Sequence, residues 1–380
     1  MLCIKNGLIH DAITREPYIA DILIDGGVIA KIAPDIEVPE NTEVYDASGL
    51  EVYPGFVDAH SHLGLDNYAC GWEGKDYNEM TDILCPQLRG IDSINPMDPT
   101  FKMAAEGGVT CVATGPGSAN VLGGTFVAIK TTGKRVDNMV VKNPIAMKCA
   151  FGENPKRCYK DKTCSSRMDV ASKLRETLNR AREYMLKKEL AGDDLSKKPA
   201  YDPKLEALIP VLKKEIPLKA HAHRADDIFT VIRIAKECDV NLTLEHVTDG
   251  SLIVDELAEE GYPVAVGPSF GHATKLELIN KSFETPGLLA KAGCQVSIIT
   301  DSPVIPQQYL PLCAGLAVKS GMDEFDALKA ITINPAKHIG IEDRVGSLEV
   351  GKDADVVIAD GSPMVSNTNV VKVYINGRAL

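Results

Sequence analysis

The chain has 380 residues, 44% hydrophobic and 25% charged, ordinary globular usage that excludes wholesale disorder and allows a sizeable core. Lys plus Arg number 41 against 53 Asp plus Glu, and the net charge of -12 argues against nucleic acid or an anionic membrane as partner, leaving a small molecule as the expected one and self-association open. The start, MLCIKNGLIHDA, lacks a basic and then apolar leader, no run reaches the ~20 apolar residues of a membrane span, and ten scattered cysteines form no C-x-x-C pair; a cytoplasmic protein with buried thiols is expected.

The first fifty residues read as short strands and turns. Leu2 to Ile4, Tyr18 to Ile24 and Val28 to Ile32 are separated by Asn6-Gly7 and Asp25-Gly26-Gly27, a hairpin pattern. Near the other end, Asp355 to Ala359 lies between two turn sequences, and Val370 to Ile375 runs into Asn376-Gly377. Neither end alone makes a stable sheet, so residues 1–50 and 345–380 are expected to pair as one small β-sandwich domain.

Residues 51–344 alternate short apolar runs with helical periodicity. Candidate strands are Gly55 to His60, Val109 to Ala113, Phe126 to Lys130, Ile145 to Ala150, Leu218 to His221, Asn241 to Glu245, Pro263 to Val266 and Gln295 to Ile299. Helical spacing is clearest in Arg167 to Glu189, Asp226 to Glu237, Ser251 to Glu260 and Asp323 to Ile331. Eight strands with helical crossovers predict an α/β fold, a (β/α)8 TIM barrel. A doubly wound sheet would place a Gly-rich phosphate turn after its first strand, where Phe56-Val57-Asp58-Ala59-His60-Ser61-His62 stands instead. The polar stretch from Glu153 to Pro203 is long for a βα connection and is a candidate lid.

Five of the eight histidines sit at the ends of candidate strands 1, 5 and 6, where barrel enzymes hold their active sites. His60 and His62 are two residues apart, so on an extended strand both imidazoles face the same side. Strand 5 ends in His221-Ala222-His223, strand 6 in Glu245-His246 and strand 8 in Thr300-Asp301. Several imidazoles and one carboxylate, each after a separate apolar run, are the donor set that one or two catalytic divalent ions require.

These pieces, with Gly107-Gly108-Val109-Thr110, Gly152-Glu153-Asn154-Pro155-Lys156, Arg224-Ala225-Asp226-Asp227 and the closing Gly346-Ser347-Leu348-Glu349-Val350-Gly351-Lys352-Asp353-Ala354-Asp355, resemble the amidohydrolase superfamily, near its imidazolonepropionase-related members. The resemblance implies a metal-bearing barrel joined to a β-sandwich built from both termini. It implies that His60, His62 and Asp301 hold one divalent metal, zinc first among the candidates, and that His221 and His246 hold a second metal or contact substrate. His223 then serves as a substrate or supporting group. The superfamily bridges two metals with a carboxylated lysine or a glutamate, and here Lys148 and Glu153 compete. They are five apart, so on a regular strand only one points inward. Glu153 belongs to the Gly-Glu-Asn-Pro-Lys match and is the expected bridge.

Arg224 and Lys156, just past strand ends, are candidates for a substrate carboxylate, and His272, after strand 7, for a substrate contact. His338 is expected to pack or cap. The implied reaction is metal-assisted hydrolysis of an amide or cyclic amide C–N bond, with Asp301 taking a proton from water and returning it to the leaving nitrogen. A ring deaminase predicts a glutamate after strand 5, where Arg224-Ala225-Asp226 stands, and a non-catalytic scaffold predicts missing ligands.

Overall fold

The strands of the two chain ends find each other because each end holds only part of an apolar face. The computed structural model describes residues 1–380. It places β1 (Leu2–Ile9), β2 (Tyr18–Asp25), β3 (Val28–Ala33), β4 (Glu43–Asp46) and β5 (Glu51–Pro54) at the start of the chain. The barrel strands are β6 (Phe56–Ser61), β7 (Val109–Thr114), β8 (Leu122–Lys130), β9 (Val140–Ala150), β10 (Leu218–Ala222), β11 (Leu242–His246), β12 (Val264–Val266) and β13 (Val296–Ile298). The chain closes with β14 (Val356–Ala359), β15 (Val370–Ile375) and β16 (Arg378–Ala379).

One eight-stranded sheet joins both ends in the order β16-β15-β14-β5-β1-β2-β3, with β4 beside β1. Ile4, Ile9, Ile22, Val52, Val356 and Ile358 are buried together there. Gly26 and Gly27 (φ 59° and 87°) turn β2 into β3, as positive φ at both central turn residues allows. Asn6-Gly7 behaves otherwise: it is a bulge inside β1, where a Cβ on Gly7 would stand 2.5 Å from Val52 Cγ2.

The second sheet runs β6 to β13 in sequence order as an almost closed barrel. It departs from eight parallel strands at β8, which is antiparallel to both β7 and β9. The connections 115–121 and 131–139 are shorter than the dozen or so residues that a parallel crossover needs, so hairpins form instead. β6 and β13 share no ladder; Asp301 N–H donates to His60 O at 3.2 Å at the mouth of this seam. The stretch expected as a lid is largely a helix, Arg167–Ala191, whose Val170, Leu174, Leu178 and Ala181 pack into the barrel's outer core. No helix is long and apolar enough to cross a membrane.

Asp58 ties the seam from within. Fully buried, it accepts from His60 N (3.0 Å), Thr300 N (3.1 Å), Thr300 Oγ1 (2.6 Å) and Gln307 Nε2 (2.5 Å). Asp58→Ala leaves these buried donors unpaired and is expected to cost on the order of 3 kcal/mol of stability in denaturant unfolding. A cost under about 1 kcal/mol would show that the seam closes without it.

Candidate metal centre

His60 and His62 leave β6 on the same side, as their spacing predicts. His60 Nδ1 lies 2.9 Å from Glu245 Oε2, and His62 Nδ1 lies 2.7 Å from Gly115 O. Both partners accept only, so each ring carries its hydrogen on Nδ1 and turns the Nε2 lone pair inward. Those lone pairs meet Asp301 Oδ1, 3.7 Å from His60 Nε2 and 3.2 Å from His62 Nε2. His60, His62 and Asp301 thus form one convergent donor group. Asp301 sits at φ 51°, a left-handed conformation that turns its side chain back into the barrel mouth. Burial alone would raise its pKa, and positive charge on His246, His62 and His60, when they are protonated, is what holds the carboxyl well below its usual range.

A second group joins His221, His223 and His246. His221 on β10 and His223, just past its end, both turn inward, with their Nδ1 atoms 2.9 Å from Ser118 Oγ and 2.7 Å from Thr248 Oγ1. β11 delivers two adjacent residues inward, which a regular strand cannot do. The backbone leaves the strand at His246 (φ 76°) and Val247 (φ 44°), so His246 swings to the same side as Glu245. His246 Nδ1 donates to Gly267 O at 2.7 Å, and its buried Nε2 has no partner at all. The His246 ring lies 4.9 Å from that of His60 and 4.3 Å from that of His221, so the two groups adjoin. Burial lowers the pKa of His60, His221 and His223 well below that of free imidazole, and of His246 to about 4. Neutral rings with free lone pairs are what a divalent ion requires, and the orphaned Nε2 of His246 fits such a guest.

The two residues competing for the bridge are far apart in circumstance. Lys148 is fully buried on β9, with Nζ 3.0 Å from His60 Nε2, and burial pushes its pKa down to about 8. Glu153 belongs to neither donor group. β9 ends at Ala150, and Gly152 (φ 82°) turns the chain into the helix Glu153–Tyr159, whose first N–H donates to Glu277 Oε2 at 2.8 Å. The expectation for Glu153 rested on the Gly-Glu-Asn-Pro-Lys match; the strand ends at Ala150 as expected, and Glu153 opens a helix beyond it. Arg224 precedes the helix Ala225–Cys238 and spends its guanidinium on Asp226, at 3.0 and 2.9 Å. His272 is exposed on the loop after β12.

A buried support lies beneath the candidate metal donors, and the sequence pattern alone signals little of it. Glu245, with no exposed surface, takes His338 Nε2–H at 2.7 Å and Thr243 Oγ1 at 2.8 Å on its other oxygen, and pairs with Lys219 Nζ at 2.8 Å. Burial opposes its charge, yet Lys219, His338 and His60 hold its pKa well below the carboxylate range. Lys219 has the parity of His221, the signal that could have placed it inside. Phe126 of β8 floors the site, 5.5 Å from both Lys148 Nζ and Lys219 Nζ.

Residues 52–380 match the amidohydrolase family. The chain belongs to that family. A solved amidohydrolase from Thermotoga maritima is 42% identical with a TM-score of 0.96, covering 100% of this chain and 99% of that one. The imidazolonepropionase of Symbiobacterium thermophilum is 27% identical over 384 residues, 88% of this chain and 82% of its own. The amidohydrolase tasK of Hapsidospora irregularis is 28% identical over 391 residues, 95% of this chain but 40% of its own, so the chain spans less than half of that relative. A zinc-bound adenosine deaminase from Xanthomonas campestris shares the fold at 18% identity and a TM-score of 0.60.

Replacing His60 and His62 together by Ala is expected to lower bound metal while the barrel stays folded, because the side chains lie at the strand ends. Elemental analysis beside circular dichroism checks this; undiminished metal in a folded double variant would contradict the placement.

Proposed function

We propose that this chain is a metal-dependent hydrolase that cleaves a C–N bond, an amide or cyclic amide, of a small molecule. The observation that carries the reading is the convergence of the inward Nε2 atoms of His60 and His62 on the carboxylate of Asp301, with His246 Nε2 left open. His60, His62 and Asp301 would hold one divalent ion, zinc first among the candidates, and His221 and His246 a second. A bound ion supplies a Lewis acid for the scissile carbonyl and a water of lowered pKa. The acidic charge of the chain supports a small-molecule substrate, and we place the enzyme in the cytoplasm.

Asp301 is the proton carrier in this proposal. Its carboxylate takes a proton from the attacking water as the oxygen–carbon bond forms, then gives it to the leaving nitrogen as the C–N bond breaks. His223, held at Nδ1 by Thr248, is left to orient substrate. The burial of His60 and His246 keeps bulk water from the reacting centre.

For the bridge we now favour Lys148. Its lowered pKa leaves a fraction of neutral amine near neutral pH, and only the neutral amine adds to carbon dioxide, forming an N–C bond and losing a proton to give a carbamate. The carbamate oxygens then offer what an ammonium cannot.

The test is a hydrolysis screen over lactams, hydantoin-like rings, N-acyl amino acids and dipeptides, with metal content measured on the same sample. Turnover that tracks metal is the expected result; metal-replete, folded protein inert across the screen would count against the reading. Ammonia release without ring opening would point to a deaminase instead.

Two variants follow. Asp301→Asn should depress kcat by about 10²-fold or more even where metal is retained, as loss of general acid–base catalysis does; near-normal kcat would place the base elsewhere. After metal stripping, reconstitution should need bicarbonate as well as metal, and Lys148→Ala should not recover. Recovery with metal alone in carbonate-free buffer would return the bridge to Glu153 or leave the site mononuclear.

A further inference from the structure

A cavity of about 220 Å³ opens beside His62, between the segment after β6 and the one after β13. Asp66, Tyr68, Asp98, Met103, Ser302 and Gln307 are among the residues that wall it, and no lysine or arginine lines it. Asp66 is only 5% exposed, and its buried Oδ1 accepts no hydrogen bond. Gln307 is 1% exposed; its Nε2 is committed to Asp58, which leaves Oε1 buried and without a partner. Asp98, by contrast, is satisfied: it accepts from Thr100 N at 2.9 Å, Thr100 Oγ1 at 2.7 Å and Tyr68 N at 2.8 Å, and adds only its charge.

Two open acceptors and two carboxylates in one wall select against part of ligand chemistry. A carboxylate placed there would face the like charge of Asp66 and Asp98 with no cation in the wall to offset it, only neutral donors such as Tyr68, Ser302 and Gln308. A group with N–H donors and a positive charge would offset the charge of Asp66 and give its unpartnered carboxylate the donors it lacks, and buried polar groups in native proteins are seldom left unsatisfied. The cavity is small beside a typical drug-sized site and suits one end of a small molecule whose other end lies at the metal donors.

We propose that this cavity is a subsite for a cationic, N–H-bearing group of the substrate, an alkylammonium, guanidinium or amidinium, with Asp66 as its charge partner and Gln307 as a second acceptor. The proposal rests on the hydrolase reading for the rest of the substrate, and narrows the substrate class to small amides that carry a basic end.

The test uses the metal-loaded full chain and two matched probes: methylguanidinium and its neutral isostere N-methylurea, titrated by calorimetry. Methylguanidinium is expected to bind saturably and at least tenfold more tightly than N-methylurea. Asp66→Asn should weaken it at least tenfold, whereas Asp66→Glu, which keeps the charge, should retain most of the binding. Equal binding of the two probes, which needs no variant to observe, or binding indifferent to Asp66→Asn, would overturn the proposal. The two readings fail separately. Asp66-dependent methylguanidinium binding in a protein that hydrolyses nothing would uphold the subsite and remove the hydrolase; turnover equally fast on cationic and neutral amides, without methylguanidinium binding, would do the reverse.

Discussion

Glu245 carries a negative charge with no solvent around it, in a barrel interior where an isolated carboxylate would take up a proton sooner than stay ionised. It stays ionised because Lys219, His338 and His60 surround it, and each of these is itself buried. The pairing acts in both directions: without Glu245, Lys219 would be an uncompensated buried cation, a loss that typically costs about 3–5 kcal/mol. The hydrogen bond from His60 Nδ1 to this carboxylate fixes which nitrogen faces the site, and the same contact makes the ring a better donor. A charge placed for stability therefore also sets the chemistry of the first metal donor.

From that fixed ring the rest of the centre follows by geometry. β6 and β13 meet through Asp58 and the His60–Asp301 backbone contact, which brings the carboxylate of Asp301 against His60 and His62. On the opposite side, β10 contributes His221 and, just past its end, His223, while His246 reaches the site only through a left-handed backbone. Such conformations at non-glycine residues cost energy and persist where the surroundings impose them. Here two of them, at His246 and Asp301, stand at two of the four strand ends that supply candidate donors. The antiparallel β8 brings Phe126 beneath both buried lysines, so that an aromatic face lies where a further polar group would need a partner.

Much of this was legible in the residues. The His-x-His spacing at His60 and at His221 encodes facing side chains directly, because a strand repeats every two residues. The apolar runs marked most of the barrel strands for the same reason, and the turn glycines marked the β2–β3 hairpin. Three features were not legible. Glu153 was expected inside on its motif match, but the strand ends at Ala150 and the positive φ of Gly152 turns Glu153 into a helix. β8 was expected parallel because its candidate bounds left crossover-length connections; β8 and β9 begin earlier, at Leu122 and Val140, and the connections shrink to hairpin length. The role of Glu245 is written in its partners, Lys219 from the neighbouring strand and His338 from a helix ninety-three residues later, and single-sequence patterns carry no such pairing.

The central claim is that five side chains from four strand ends, His60, His62, His221, His246 and Asp301, hold divalent metal. X-ray diffraction at the zinc absorption edge, from crystals of the zinc-loaded protein, tests it most directly. The account predicts an anomalous peak bounded by Nε2 of His60, Nε2 of His62 and the carboxylate of Asp301. Fully loaded crystals with no peak there, or with zinc held only by residues outside the two histidine groups, would contradict it.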